Sequence, residues 1–116
     1  MMPQIDEAKQ LALCAREILS EKKGEDIIIL DLRKLNAITD YFVISSATST
    51  RHADALTDEV MLDLKKKGFK LLHSEGEGTG TWALLDYANV IVHIFYHETR
   101  VFYNLEKLWG DAPRVK

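Results

Sequence analysis

The chain has a single cysteine, Cys14, so it closes no internal disulfide and builds no cysteine-based zinc site. Its neighbours on a helical pattern are apolar, which makes the thiol a small buried hydrophobe rather than a reactive group. Long hydrophobic runs are missing too: no stretch approaches the roughly 18 apolar residues of a membrane-spanning helix. The opening Met1-Met2-Pro3-Gln4-Ile5-Asp6-Glu7 has no basic region followed by an apolar core. No secretory signal and no membrane association are expected, and the expected location is the cytoplasm. An excess of positive charge is also absent. A net charge of −3 argues against a protein held on bare nucleic acid by bulk charge, and it allows a basic protein partner. Phosphate-binding P-loops, dinucleotide fingerprints and Gly-x-Ser-x-Gly elbows do not occur. Gly76, Gly78 and Gly80 are merely spaced by two, with no helix after them.

What is present suits one soluble domain over residues 1–116. A chain of this size buries roughly 65% of its unfolded surface, enough for a self-standing core. Ile5, Ala8, Leu11, Ala12, Ala15, Ile18 and Leu19 recur at helical spacing. Acidic residues begin this run and Lys22-Lys23 end it, with Gly24 after them, which predicts a helix over 4–23 with Gly24 as its C′ residue. Asp26–Leu32 and Tyr41–Ser46 are β-branched and aromatic runs, read as strands. Ser49 or Thr50 caps a second helix over 50–67, striped by Ala53, Leu56, Val60 and Leu64. Phe69–His73 is a third, weaker strand, and 74–80 a glycine-rich loop. A final helix is expected over 98–109, anchored by Phe102, Leu105, Leu108 and Trp109, with 110–116 a loose tail.

Between loop and final helix lies WALLDYANVIVHIF, residues 82–95. Its two apolar runs joined by Asp86-Tyr87-Ala88-Asn89 predict a β-hairpin with a type I turn. Val90, Val92 and Ile94 share one face, and Ile91, His93 and Phe95 the other. Both faces are apolar, so both need a cover. The order α-β-β-α-β-β-β-α predicts a small mixed α/β (α+β) sheet of five strands with three helices, the strand–helix–strand unit after Tyr41 forming a parallel crossover. Three helices do not readily cover both faces, so a partly exposed apolar face is expected, and such a face usually meets a partner.

No catalytic constellation emerges. His93 and His97 have helical ligand spacing but lie on a strand, where four residues span roughly 13 Å. His52 and His73 complete no site, so no metal and no cofactor are expected. Ser45–Ser49, at a strand-to-helix turn, is placed as in nucleotidyltransferases. Those enzymes need paired carboxylates for Mg²⁺. Asp31 and Asp86 have no such pair, and Glu75-Gly76-Glu77 lies in a loop. Capping is the simpler role for the hydroxyls, and Lys65-Lys66-Lys67 is a solvated helix end. Trp82 is open to two readings, a core ring or an interface anchor. Asp86 caps its turn or meets a basic partner group, and His93 is a hydrogen-bonded sheet residue or a partner contact.

The segment Ile38–Ala53, ITDYFVISSATSTRHA, resembles the Iojap family, whose bacterial members are ribosomal silencing factors. Glu75-Gly76, then Trp82, Asp86, Val92 and His93, then Arg100, Tyr103 and Leu105-Glu106-Lys107-Leu108-Trp109 follow in the family's order, so the resemblance covers about residues 5–113. Asp40, Tyr41, Arg51 and His52 belong to the same pattern. The resemblance implies a minimal nucleotidyltransferase-like fold without catalytic carboxylates, no enzymatic activity, and a homodimer. It also implies binding to ribosomal protein fourteen of the large subunit, which blocks subunit joining and represses translation under nutrient limitation. Organellar relatives suggest large-subunit assembly as an alternative, and a divergent nucleotidyltransferase using Ser46 to Ser49 with Mg²⁺ is the remaining alternative, weakened by the missing carboxylate pair. The resemblance carries no direct sequence-specific nucleic-acid binding. The partner-binding residues expected are Glu75, Trp82, Leu84, Asp86, Tyr87, His93, Phe95, Arg100 and Tyr103. The family often has Gly at Ala47 and Gly-Asp at Ala88-Asn89, so the turn geometry near Tyr87 is where this chain departs from it.

Overall fold

Two strands that are apolar on both sides dictate the architecture. β2 (Tyr41–Ala47) is buried at every position and β5 (Val90–Tyr96) at all but its last. Such strands belong at the centre of a sheet, and these two pair in parallel, from Tyr41 opposite Val90 to Ala47 opposite Tyr96. β1 (Glu25–Asp31) flanks β2 on one side. On the other, β4 (Trp82–Asp86) and then β3 (His73–Glu75) complete the order β1-β2-β5-β4-β3. The remaining pairings are antiparallel. With α1 (Glu7–Glu21), α2 (Thr50–Lys66) and α3 (His97–Tyr103), this is the mixed five-stranded sheet and element order that the sequence predicts. The computed structural model describes residues 7–35, 39–103, 107 and 110–116, with the backbone alone over 101–103.

One face of the sheet is covered by α1 and α2. Their buried stripes (Ala8, Leu11, Ala15 and Ile18; Ala53, Leu56, Val60 and Leu64) meet Val43, Ala83, Leu85, Val90, Val92 and Ile94. The outer face carries Leu30, Phe42, Ile44, Ile91 and Phe95, with half-buried Ile28, Leu35, Trp82 and Leu84 at its margin. α3 lies against β5 and β2. From it Arg100 Nη1 donates to Ser46 Oγ at 2.9 Å and to the Asp26 carbonyl. That carbonyl is turned by an irregularity in β1 between Glu25 and Ile28, where Asp26 takes φ 48°.

Several boundaries differ from expectation for identifiable reasons. The third strand pairs over His73–Glu75, not 69–73, because the chain leaving α2 first closes a helix cap. Phe69 N donates to Leu64 O at 3.0 Å and Gly68 N to Lys65 O at 3.0 Å, with Gly68 at φ 91°. β3 runs parallel to β2 but lies at the opposite edge, since β5 and β4 intervene. The tail is not loose: Asp31 N donates to Pro113 O at 2.7 Å, Val115 N donates to Ile29 O at 2.9 Å, and Ala112 is buried. It therefore occupies the free edge of β1. The described part of α3 ends at Tyr103; Ile5 and the anchors Leu105, Leu108 and Trp109 lie outside the described residues, as does the Phe102 side chain.

Two left-handed positions fall on unexpected residues. After α1, Gly24 N donates to Leu19 O at 2.8 Å and Lys23 N to Ser20 O at 3.1 Å, so Lys23, at φ 67°, is the C′ residue and Gly24 follows it. Gly24 is needed for another reason: a Cβ there would stand 2.5 Å from Ser45 Oγ. In the hairpin, Ala88 takes φ 75° and Asn89 N donates to Tyr87 O at 3.0 Å, a γ-turn rather than a type I turn. Asp86 acts as expected, Oδ1 accepting from Ala88 N at 2.8 Å.

Left-handed backbone costs an L-residue roughly 1–2 kcal/mol that glycine escapes, partly offset by glycine's greater unfolded entropy. Ala88→Gly and Lys23→Gly are each expected to raise stability by about 0.5–1 kcal/mol. Gly24→Ala is expected to lower it. Urea unfolding of the three variants measures the changes, and a loss of stability in both glycine variants would contradict the assignment.

Candidate functional site

Period-2 alternation along β4 sends Ala83 and Leu85 toward the helices and Trp82, Leu84 and Asp86 to the outer face. Register then sets their neighbours. Trp82 lies opposite Phe95, Leu84 opposite His93 and Asp86 opposite Ile91. On the other side Leu84 pairs with Glu75 and Asp86 with His73. A row therefore crosses the sheet as Ile44–His93–Leu84–Glu75. It passes from buried through half-buried to an exposed carboxylate.

Aromatic rings organise the centre of this face. The Trp82 indole stacks on Phe95 with centroids 5.0 Å apart at 25°, and the His93 ring meets Phe42 edge-on at 4.6 Å. Trp82 Nε1–H donates to His93 Nδ1 at 3.1 Å. That bond requires Nδ1 to be unprotonated, and so assigns the ring proton to Nε2. Nε2 is buried and has no hydrogen-bond partner among the described residues. Burial pushes the His93 pKa down to about 4, so the ring is neutral at physiological pH. At the rim of this row Glu75 and the His73 ring, both exposed, approach each other at 3.7 Å.

The nine expected contact residues do not form one surface. Trp82, Leu84, Asp86 and Glu75 lie together on β4 and β3 with at least partial exposure. His93 and Phe95 sit beneath and beside them but are only 3% and 1% exposed, packed among the Phe42 and Trp82 rings. Arg100 is buried and holds Ser46 and Asp26. Tyr87 belongs to the helix-side core, on the same side of the hairpin as Ala83 and Leu85. Its hydroxyl is buried without a partner among the described residues, and burial pushes its pKa up to about 12. The Tyr103 side chain lies outside those described.

Other motif residues hold the scaffold. Ser49 Oγ accepts from His52 N at 2.9 Å and caps α2. The His52 ring accepts from Thr48 N at 3.0 Å through Nδ1, and its Nε2 reaches Lys22 O at 3.0 Å, joining the end of α1 to the start of α2. Asp40 N donates to Asn89 O at 3.0 Å. Arg33 lies 5.3 Å over the ring of buried Tyr41 and holds Asp31 through two side-chain bonds. Those bonds lower the Asp31 pKa and commit the carboxylate to an ion pair. Gly76, at φ 76°, admits no Cβ, which would lie 2.0 Å from the Trp82 carbonyl. The His52 bridge and the tail pairing were missed from sequence, since both join segments far apart in the chain.

Fold and site together define a small α/β protein whose most organised side-chain cluster is aromatic and uncharged, with acidic groups at its rim. A family model described as "Ribosomal silencing factor during starvation" matches residues 5–116. A ribosomal silencing factor of Halalkalibacterium halodurans is 36% identical, over 93% of this chain and 92% of that protein. A crystal structure of a Chromobacterium violaceum protein superposes with a TM-score of 0.82 at 36% identity, covering 93% of this chain and 88% of that one. A mouse protein named for mitochondrial assembly of the ribosomal large subunit is 34% identical over 79% of this chain but only 42% of its own length. The chain belongs to the ribosomal silencing factor (RsfS, Iojap) family. No helix among the described residues is long and apolar enough to cross a membrane.

The depressed His93 pKa makes folding pH-dependent. In the unfolded chain the imidazole titrates at its ordinary 6.5; in the fold it resists protonation until about 4. Between those values the unfolded state binds the proton and the folded state does not, so stability falls as pH drops through this window. The contribution lost is about 3 kcal/mol once pH is below both values. Urea midpoints from pH 7 to pH 4 should decline, and the decline should be smaller in His93→Phe. Equal slopes in the two chains would show that His93 is not the titrating group.

Proposed function

We propose that the chain docks on the large ribosomal subunit through ribosomal protein fourteen, and that its bulk then blocks joining of the small subunit and so represses translation under nutrient limitation. The observation that carries this reading is the row from His93 through Leu84 to Glu75 with Trp82 beside it. It joins half-exposed apolar side chains to an acidic rim. Trp82 and Leu84 are the contact anchors, since a large ring held by stacking loses little freedom on binding. Glu75 and Asp86 face basic groups of the partner and set encounter rate and orientation more than affinity. His93, Phe95 and Arg100 act from beneath, by fixing Trp82 and α3. Tyr87 is removed from the contact set. The cytoplasm, a homodimer, and a role without catalysis or direct base recognition complete the reading.

A role in large-subunit assembly is the second reading, favoured by the name of the mouse relative. It uses the same docking face and differs in timing: precursor particles accumulate in a deletion strain only under assembly.

Co-sedimentation with isolated large subunits, alongside a subunit-joining assay, tests the proposal. Trp82→Ala is expected to weaken retention at least about 30-fold, the loss of an interface anchor of about 2 kcal/mol. Because Trp82 is half-buried, Leu84→Arg serves as a second variant that leaves the Trp82–His93 bond in place. Joining that proceeds equally with and without the protein, or unchanged retention of both folded variants, sinks the idea.

A further inference from the structure

The two edges of the sheet are protected differently. β3 is an edge of three residues, with polar His73 and Glu75 both exposed. So short and polar a strand offers little to another chain. β1 is an edge of seven residues and reads Ile27-Ile28-Ile29-Leu30 at its centre. An aliphatic run of high β-propensity, without proline or glycine, is the kind of segment that pairs with copies of itself. Its free side is occupied by the chain's own residues 112–115. Leu30 bridges to Arg114 in antiparallel fashion, Asp31 N donates to Pro113 O at 2.7 Å, and Val115 N donates to Ile29 O at 2.9 Å. The segment alternates as a strand does: buried Ala112 joins Leu30 in the outer-face cluster, and Val115 packs with Ile29 on the helix side. From α1, Arg16 Nη1 donates to the Val115 carbonyl at 3.4 Å.

We propose that residues 112–115 are a displaceable strap over a strand-accepting edge, and that its release opens β1 to antiparallel pairing with β1 of a second copy of this chain. That the edge accepts an extended segment is observed directly, since the strap is one. The hold of the strap is slight beside the ladder joining β1 to β2. It makes a single bridge, and Pro113 has no N–H to give, which limits the pairing on that side. Pro113 and Arg114 are exposed, and the apolar anchors are the small side chains of Ala112 and Val115. The strap pairs with Ile29 to Asp31, whereas Ile27 and Ile28 lie half-buried beyond it. A second copy suits this edge because antiparallel pairing of identical strands is a closed two-fold contact that sets aliphatic residues opposite one another. Pairing centred between Ile28 and Ile29 brings Asp31 to the acidic start of the other strand, and Arg33 already neutralises that carboxylate. The order β1-β2-β5-β4-β3 places this edge at the far side of the sheet from Trp82 and Leu84, so release of the strap is independent of ribosome docking. A homodimer of the intact chain uses another surface, since the strap fills this one.

Sedimentation velocity of the full chain over a concentration series tests this, with amide hydrogen exchange on the same samples. Val115→Pro removes the N–H given to Ile29 O, and Ala112→Arg puts a long cation at a buried position. The double variant is expected to lift the strap: the Asp31 amide exchanges at least about tenfold faster, and a species larger than that of the intact chain grows with concentration. Adding Ile27→Lys, a charge on the opened edge, is expected to restore the sedimentation of the intact chain. A peptide of residues 110–116 supplied in trans is expected to suppress the larger species as well. Arg16→Ala removes only the side-chain bond to the Val115 carbonyl, keeps the test open should the double variant not fold, and is expected to produce the same changes in smaller degree. The proposal is overturned if Asp31 exchanges faster with no larger species, if Asp31 exchange is unchanged in both strap variants, or if the larger species persists undiminished with Ile27→Lys.

Discussion

The parallel pairing of β2 with β5 is the constraint from which the rest follows. Both strands are apolar on both faces, so neither is stable at an edge or with one side in water. α1 and α2 cover one side with regular amphipathic stripes. The other side is closed piecemeal: α3 is held down through Arg100, Ala112 packs in from the tail, and Trp82 and Leu84 reach in from β4. A face closed by several small contributions keeps a half-exposed margin where the last of them ends. That margin, along β4 and β3, is where the candidate docking residues gather.

His93 shows how the apolar constraint and the polar site are reconciled. An imidazole in the middle of a buried strand would ordinarily be costly. Here Trp82 satisfies one nitrogen, while Nε2–H stays buried and unpaired among the described residues, so the cost is halved rather than removed. The bond also works on Trp82. An indole at a sheet margin could turn toward solvent, but donation to Nδ1 together with stacking on Phe95 fixes its plane. The same burial that depresses the histidine pKa keeps it neutral, so that Nδ1 remains an acceptor. Recognition by this face would then rest on shape and apolar area, with charge confined to Glu75 and Asp86 at its edge.

Much of this was legible in the sequence because it depends on periodicity. The α1 and α2 stripes, the hairpin and the division of β5 into two faces all follow from spacings of 3.6 and 2. What escaped depends on contacts between distant segments or on backbone strain. The tail pairs with β1 across some eighty residues, and His52 joins the end of α1; neither leaves a local signature. Lys23 and Ala88 take conformations that sequence rules reserve for glycine, so the cap was placed one residue late and the turn was misassigned. Tyr87 was read as part of the turn and as a partner contact. Continuing the odd-numbered parity of Ala83 and Leu85 by one more residue would have placed it in the core.

That parity makes the hairpin a two-sided element. Even positions from Trp82 to Asp86 face outward and odd positions from Ala83 to Tyr87 face the helices, so one short strand serves both the half-exposed outer margin and the helix-side core. A slip of one residue would exchange the two sets, putting Leu85 at the rim and Leu84 against α2. The register is pinned at both ends of β4. At its start, Gly76 lies so close to the Trp82 carbonyl that no side chain fits between them. At its end, the Asp86 carboxylate accepts from Ala88 N and fixes where the turn begins. Gly76 and Asp86 thereby decide which residues of β4 face outward and which face the helices. Their place in the family pattern is thus accounted for by register before any contact with a partner is invoked.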